Sequence, residues 1–123
     1  MSISHRSVLP AIASQLVTAL KQYDDDVGRM IDCWPDLDRY QDVSGQIERI
    51  RMYCGALDEA RVQWVELLIT HAELVHLLWR SQYGKEPASL DQIQSVRERH
   101  GDCVAALRGR CARVIARGGL RLS

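Results

Sequence analysis

The sequence contains little proline, almost no lysine and no long hydrophobic run. Proline occurs only at positions 10, 35 and 87 of the 123 residues, and each one coincides with a break in the apolar periodicity. Because no stretch of about 18 consecutive apolar residues is present, hydropathy predicts no membrane-spanning helix. The N-terminus also lacks the apolar segment of a signal peptide. These absences predict a cytoplasmic protein.

The charge balance argues against a protein that binds its partners mainly by its net charge. Sixteen basic and sixteen acidic residues give a formal net charge of zero, which argues against a protein built mainly to hold nucleic acid or an anionic membrane. Only Lys21 and Lys85 among the bases are lysine, an arginine bias typical of GC-rich, often bacterial, coding sequences. With 46% hydrophobic residues, we expect one globular domain over 1–123, frayed at about 1–6 and 119–123.

Sequence signatures of metal sites and enzymes are also missing. The four cysteines, Cys33, Cys54, Cys103 and Cys111, form no Cys-x-x-Cys pair, so we expect reduced packing residues. Glu73-x-x-His76 matches one half of the di-iron motif of ferritin-like bundles, but a second copy is absent. No nucleophile elbow, P-loop, dinucleotide-binding glycine loop or His-Glu-x-x-His segment occurs. We therefore expect no metal, no cofactor, no catalytic residues and no enzymatic activity.

Apolar residues recur at spacings of three and four along three segments, which predicts three long helices. Their expected ranges are Ser7 to Cys33, Asp36 or Ser44 to Tyr83, and Ser89 to Gly118. Ser7 is the expected cap of the first helix. Ser89 and Gln92 form a capping-box pattern at the start of the third. No segment alternates with the period of a strand, so the sequence predicts an all-α, up-down bundle.

The second segment contains an apolar alternation of three and four, here called the predicted seam. Its members are Tyr40, Val43, Ile47, Ile50, Cys54, Leu57, Arg61, Trp64, Leu68, His71, Val75 and Leu78. This period indicates coiled-coil-like packing. Gly45 and Gly55 weaken the helix, so a break near either one would turn the three-helix bundle into a four-helix bundle.

Polar residues interrupt the apolar pattern in two places. Arg61 and His71 lie on the predicted seam. One interpretation is an anion-binding or pH-sensing pair inside the bundle. The favoured one is that Arg61 reaches the rim or pairs with a carboxylate such as Glu48 or Asp26, and that His71 is neutral and hydrogen-bonded. The third helix carries an arginine stripe that consists of Arg99, Arg110, Arg113, Arg117 and Arg121. Because the stretch from Asp24 to Asp38 is acidic, packing of the basic helix on the acidic first helix is favoured over nucleic-acid binding.

The turn Cys33-Trp34-Pro35-Asp36-Leu37, followed by Val43, Ile47 and Ile50, resembles the helix-turn-helix junction of small export chaperones of the flagellar and type III secretion class. The resemblance covers about residues 8 to 83. It implies an all-helical cytoplasmic protein that protects an amphipathic helix of an exported subunit. The arginine-rich third helix departs from the Glu- and Gln-rich surfaces of that family, and no functional residue is carried over.

These patterns predict a non-enzymatic interaction module that binds an amphipathic helix of a partner protein. The resemblance implies that this module is a secretion chaperone or regulator. The expected partner-binding residues are Trp64, Leu74, Leu77, Trp79 and Tyr83, because large aromatic side chains dominate binding energy. A homodimer or a partner complex is predicted through this end of the long helix. The alternatives are a small-molecule-binding protein or enzyme that uses Arg61 and His71, and a nucleic-acid-binding regulator that uses the arginine stripe.

Overall fold

The chain folds into four helices that pack as an up-down bundle. The structure is a computed structural model that describes the backbone of residues 3–119 and the side chains of residues 8–118. The helices are α1 (Ile3–Asp32), α2 (Leu37–Gly55), α3 (Arg61–Tyr83) and α4 (Leu90–Gly119). Residues 3–119 contain no strand. The predicted all-α bundle is confirmed, in the four-helix form in which the second segment breaks next to Gly55.

The break between α2 and α3 changes which residues face the core. Leu57 is extended, with φ −120° and ψ 97°, and a 3₁₀ turn over Asp58–Ala60 precedes α3. Since this turn does not continue the rotation of an α-helix, several buried positions of α3 lie one residue before the predicted ones, although Leu78 is buried as predicted. Ala60 and Leu67 are buried, whereas Arg61 and Leu68 are exposed. The predicted seam is therefore wrong at Arg61 and Leu68, although it holds throughout α2.

Local hydrogen bonds fix where the helices begin. The Asp36 carboxylate accepts a hydrogen bond from the backbone N–H of Arg39, which caps α2. At the start of α4, Ser89 Oγ accepts from the Gln92 N–H at 3.1 Å, and Gln92 Oε1 accepts from the Ser89 N–H at 2.9 Å. This is the predicted capping box. The predicted cap at Ser7 is wrong, because α1 begins at Ile3 and Ser7 lies inside it.

The four helices do not pack equally on one another. The two 30-residue helices, α1 and α4, share the most extensive contact. Helix α2 packs mainly on α1, and α3 packs mainly on α4, whereas the contact between α2 and α3 is sparse. The bundle therefore consists of a central α1–α4 pair with one further helix on each member, and it is open on the α2–α3 side. None of the described helices combines the length and apolarity needed to cross a membrane.

Candidate functional site

Three polar side chains from three different helices meet at one oxygen atom in the core. The hydroxyl of Tyr23 on α1 lies 2.7 Å from Nδ1 of His71 on α3 and 2.7 Å from Nε2 of His100 on α4. Tyr23 is fully buried and His100 is 2% exposed, whereas His71 is half-buried. We call these three residues the Tyr-His array. It is a buried polar connection between α1 and each of the two helices α3 and α4.

Burial determines the protonation state of the array. It lowers the pKa of His71, and burial together with the neighbouring His71 lowers the pKa of His100 to about 4. Burial and the charge of Asp24 raise the pKa of Tyr23 far above its ordinary value. All three groups are therefore neutral at pH 7. The phenol can donate one hydrogen bond and accept another, so neutral imidazoles satisfy it completely.

The local sequence places each member of the array on the buried face of its helix. Tyr23 lies between buried Leu20 and Val27, and His100 lies one turn from Val96 and from Val104. The apolar spacing predicts His71 at an interior position of α3, but the same spacing does not distinguish Tyr23 and His100 from the apolar residues around them. The sequence feature that indicates the array is one titratable side chain at a core position on each of three separate helices.

Aromatic rings close the end of the bundle where α1 leads into α2 and where α3 ends. Trp34 contacts Trp79 and Tyr40 edge to face, with ring centroids 4.8 and 6.2 Å apart. Tyr83 is 72% exposed and stacks on Trp79 at 5.5 Å. Trp34 Nε1 is buried without a nitrogen or oxygen partner. Of the predicted partner-binding residues, Trp79 therefore belongs to an intramolecular cluster, and Tyr83 is its solvent-exposed edge.

The remaining predicted partner-binding residues lie against the core. Leu74 is 1% exposed, and Trp64 and Leu77 are half-buried and packed on the core. The prediction that Leu74 is a binding surface is wrong, because the turn before α3 rotates this residue inward. Other apolar residues are exposed in their place. They are Val62, Val65, Leu68 and Ile69, and we call them the outer α3 face.

Arg61 and His71 do not form a shared site. Arg61 is exposed and pairs with Asp58 in the preceding turn, at 3.0 Å between Nη2 and Oδ1. His71 instead lies inside the bundle and hydrogen bonds to Tyr23. The prediction that Arg61 is a polar residue of the seam is therefore wrong. An ion pair within one turn on the surface contributes at most a few tenths of a kcal/mol.

The arginine stripe is largely engaged within the chain. Arg99 makes two hydrogen bonds to the Glu73 carboxylate, at 3.3 and 3.0 Å, and Arg117 pairs with Glu59. With the Gln63 amide oriented to satisfy both of its neighbours, its oxygen accepts a hydrogen bond from Arg110 Nε at 3.3 Å. Arg113 is exposed, and Arg121 lies outside the described residues. The stripe thus contacts α3 and its preceding turn, whereas Arg97 provides the ion pair with α1, through Asp32.

The cysteines are free thiols in different environments. Cys54 and Cys111 are buried, Cys103 is half-buried and Cys33 is exposed. Burial raises the pKa of Cys54 to about 12 and that of Cys111 to about 11, so both remain protonated packing residues. The prediction of a packing role is wrong for the exposed Cys33. Among the described residues, no three His, Cys, Asp or Glu side chains come together in a group that could hold a metal ion.

Comparison with known proteins identifies no relative. No protein-family model matches the chain, no curated protein matches it, and no solved structure matches it. The resemblance to export chaperones stays a prediction. The geometry of the Tyr-His array and of the outer α3 face is therefore the basis for any functional proposal.

Proposed function

We propose that the protein is a helical interaction module that binds one amphipathic helix of another protein on the outer α3 face. The observation that carries this proposal is the exposure of four neighbouring aliphatic side chains. Val62 is 63% exposed, Val65 48%, Leu68 41% and Ile69 55%. Exposed single apolar residues are ordinary, but a contiguous group on one helix is typical of an association site. The chemistry is association by apolar burial.

The size of the outer α3 face favours a single helix as its partner. Its residues span two helical turns, a length of ~10 Å at ~1.5 Å per residue. A stable interface between two folded proteins buries roughly 800 Å² on each side, which is more than four half-exposed aliphatic side chains supply. The spacing of Val62, Val65 and Ile69 is three and four, so it matches the apolar stripe of one docked helix.

The position of the outer α3 face supports the same partner. Leu68 and Trp79 are eleven residues apart, which places them on one side of α3. Trp79 contacts Tyr40 of α2, with ring centroids 5.4 Å apart. The face therefore begins on the side of α3 that is directed toward α2, where the packing between the two helices is sparse. A helix bound along Leu68 would extend the bundle at its least covered edge.

The resemblance of the turn at Trp34 implies a specific form of this proposal. In that form the protein is a bacterial, cytoplasmic export chaperone, and its partner helix belongs to an exported subunit. A second copy of the chain is the competing partner, in line with the predicted homodimer. Both alternatives place an apolar helix on α3, but only the second requires the chain to contact itself.

Site-specific photo-crosslinking tests the proposal. A photoreactive amino acid is placed at Val65 in the full chain, expressed in cells that carry the native gene, and crosslinked peptides are identified by mass spectrometry. Ala106 on α4, which is also exposed, provides the matched control position. The expected product joins Val65 to an amphipathic helix of another protein and is lost in Ile69→Asp. Equal products at Ala106, or crosslinks only to the chain itself, would overturn the proposal.

A further inference from the structure

The Tyr-His array has a property that an ordinary buried hydrogen bond lacks, because one hydroxyl serves two titratable rings. In the neutral state, one imidazole N–H donates to the Tyr23 oxygen, and the Tyr23 O–H donates to the bare nitrogen of the other imidazole. Both 2.7 Å contacts are then satisfied. Either direction of donation is possible, so the array can reverse its donors without moving a heavy atom.

A first added proton leaves both hydrogen bonds intact. The imidazole that donates to Tyr23 takes the proton on its other ring nitrogen and remains a donor. Because His71 is half-buried and His100 is 2% exposed, the charge is accommodated better on His71. The array then runs from the His71 cation through the Tyr23 hydroxyl to the neutral His100.

A second proton breaks the array. Both imidazoles now present an N–H to the same oxygen, so the Tyr23 O–H has no acceptor among the three residues. Two positive charges also flank one oxygen in a buried environment, which costs both repulsion and desolvation. The array therefore tolerates one proton and fails with two.

Among the residues whose side chains the structure describes, no carboxylate forms a hydrogen bond or ion pair with His71 or His100. On α1, Asp24 lies near Tyr23, but the positive charges of Arg97 and Arg108 on α4 already attract the Asp24 carboxylate. Glu73 of α3 is held by Arg99 of α4. The buried residues of α2 are Val43, Ile47, Ile50 and Cys54, of which only the thiol titrates, and burial raises its pKa to about 12. On α2, Gln46 donates to Asp26 of α1 and carries no charge itself.

We propose that the Tyr-His array is an acid-operated latch, which holds α3 and α4 on α1 until both His71 and His100 carry a proton. Its release loosens the bundle along the α1–α3 and α1–α4 contacts. Once the latch opens, helix α2 does little to hold α3 in place, since it packs only sparsely on α3. The latch does not depend on what binds the outer α3 face.

Thermal unfolding of the full chain tests the latch, because a two-proton requirement predicts non-additive variants. The melting temperature is measured by circular dichroism at pH 7.5 and pH 4.5 for wild type, His71→Gln, His100→Gln and the double variant. The double variant shows how far acid lowers the melting temperature through all titratable groups other than His71 and His100. His76→Gln is the matched control, since His76 is exposed and should retain the full acid effect.

The expected result is that the decreases removed by the two single variants add up to clearly more than the decrease that the double variant removes, because burial still lowers the pKa of whichever histidine remains. If each single variant removes about half, the two histidines act independently and the latch is overturned. If acid lowers the melting temperature of the wild type and of the double variant by the same amount, the latch is overturned as well.

A titration of the wild-type histidine resonances by NMR needs no variant to fold. Two separate midpoints below pH 6.5, with that of His71 above that of His100, support the latch. A joint midpoint near pH 6.5 would contradict it.

Discussion

The Tyr23 hydroxyl serves two partners, so its removal leaves the buried His100 nitrogen and the half-buried His71 nitrogen without this hydrogen bond. We expect Tyr23→Phe to lower the free energy of unfolding by about 2 to 4 kcal/mol, because each unsatisfied buried group costs about 1 to 3 kcal/mol. Urea denaturation at pH 7.5 measures this change. Tyr83→Phe is the matched control, since Tyr83 is exposed, and it should change stability by less than about 0.5 kcal/mol. Equal effects of the two substitutions would contradict the prediction.

His100 makes stability depend on pH in a defined direction. Its pKa is about 4 in the folded chain and near 6.5 when unfolded, so the unfolded state binds more protons between these values. The contribution of His100 to the free energy of unfolding is fully present above pH 6.5, decreases as the pH falls toward 4, and then levels off. The loss is on the order of 3 kcal/mol. Urea denaturation between pH 7.5 and 4 measures it, and a stability that rises on acidification would contradict the sign.

Among the helices, the start of α4 is where local sequence and structure agree most closely. Ser89 and Gln92 form the expected reciprocal bonds, and Val96, Val104, Leu107 and Cys111 are buried as their spacing predicts. Short-range chemistry determines both features, so one sequence suffices to predict them. Of the two predicted starts of the second segment, Asp36 and Ser44, the structure has Asp36, which caps α2.

The break after Gly55 limited what could be predicted beyond it. Gly55 indicates where the helix can break, but the alternation of three and four continues through Leu57 and Arg61, so the spacing does not reveal that the buried positions shift after the break. The extended residue Leu57 and the following 3₁₀ turn rotate α3 by about one residue. This rotation moves Leu74 into the core and Leu68 toward solvent, which reverses their predicted roles.

Glycines inside the helices provide a test at the level of elements. A Cβ atom at Gly45 or at Gly109 would meet no neighbour, so we expect Gly45→Ala and Gly109→Ala each to stabilise the chain by about 0.5 to 1 kcal/mol. Gly118 differs, because an added Cβ would overlap the ring of Pro10 on α1. We expect Gly118→Ala to destabilise the chain by about 1 to 3 kcal/mol. Thermal unfolding compares the three variants, and a stabilising Gly118→Ala would contradict the close contact between α1 and α4.

For the whole molecule, Leu74 and Ile69 distinguish the core from the proposed binding face. We expect Leu74→Ala to cost about 2 to 5 kcal/mol, because it removes a fully buried side chain. Ile69→Ala should change stability by less than about 0.5 kcal/mol, since Ile69 is 55% exposed. Urea denaturation measures both, and a large loss in Ile69→Ala would show that this residue is already covered.

The Tyr-His array illustrates why a site can escape sequence analysis although each member is visible. In the sequence, His71 follows Tyr23 by 48 residues and His100 follows it by 77 residues. Their meeting depends on the relative rotation of three helices, and the turn before α3 sets one of these rotations. Periodicity predicts which side of a helix faces inward, but not which inward side chains share one oxygen atom.

The sparse contact between α2 and α3 also determines how the native state opens. Because each of these helices is held mainly by one neighbour, either can detach while the α1–α4 pair stays intact. In native-state hydrogen exchange, the amides of α2 and α3 should therefore exchange through local openings at low denaturant concentration. The amides of α1 and α4 should exchange only when the whole chain unfolds. Uniform protection of all four helices would instead indicate a single cooperative unit.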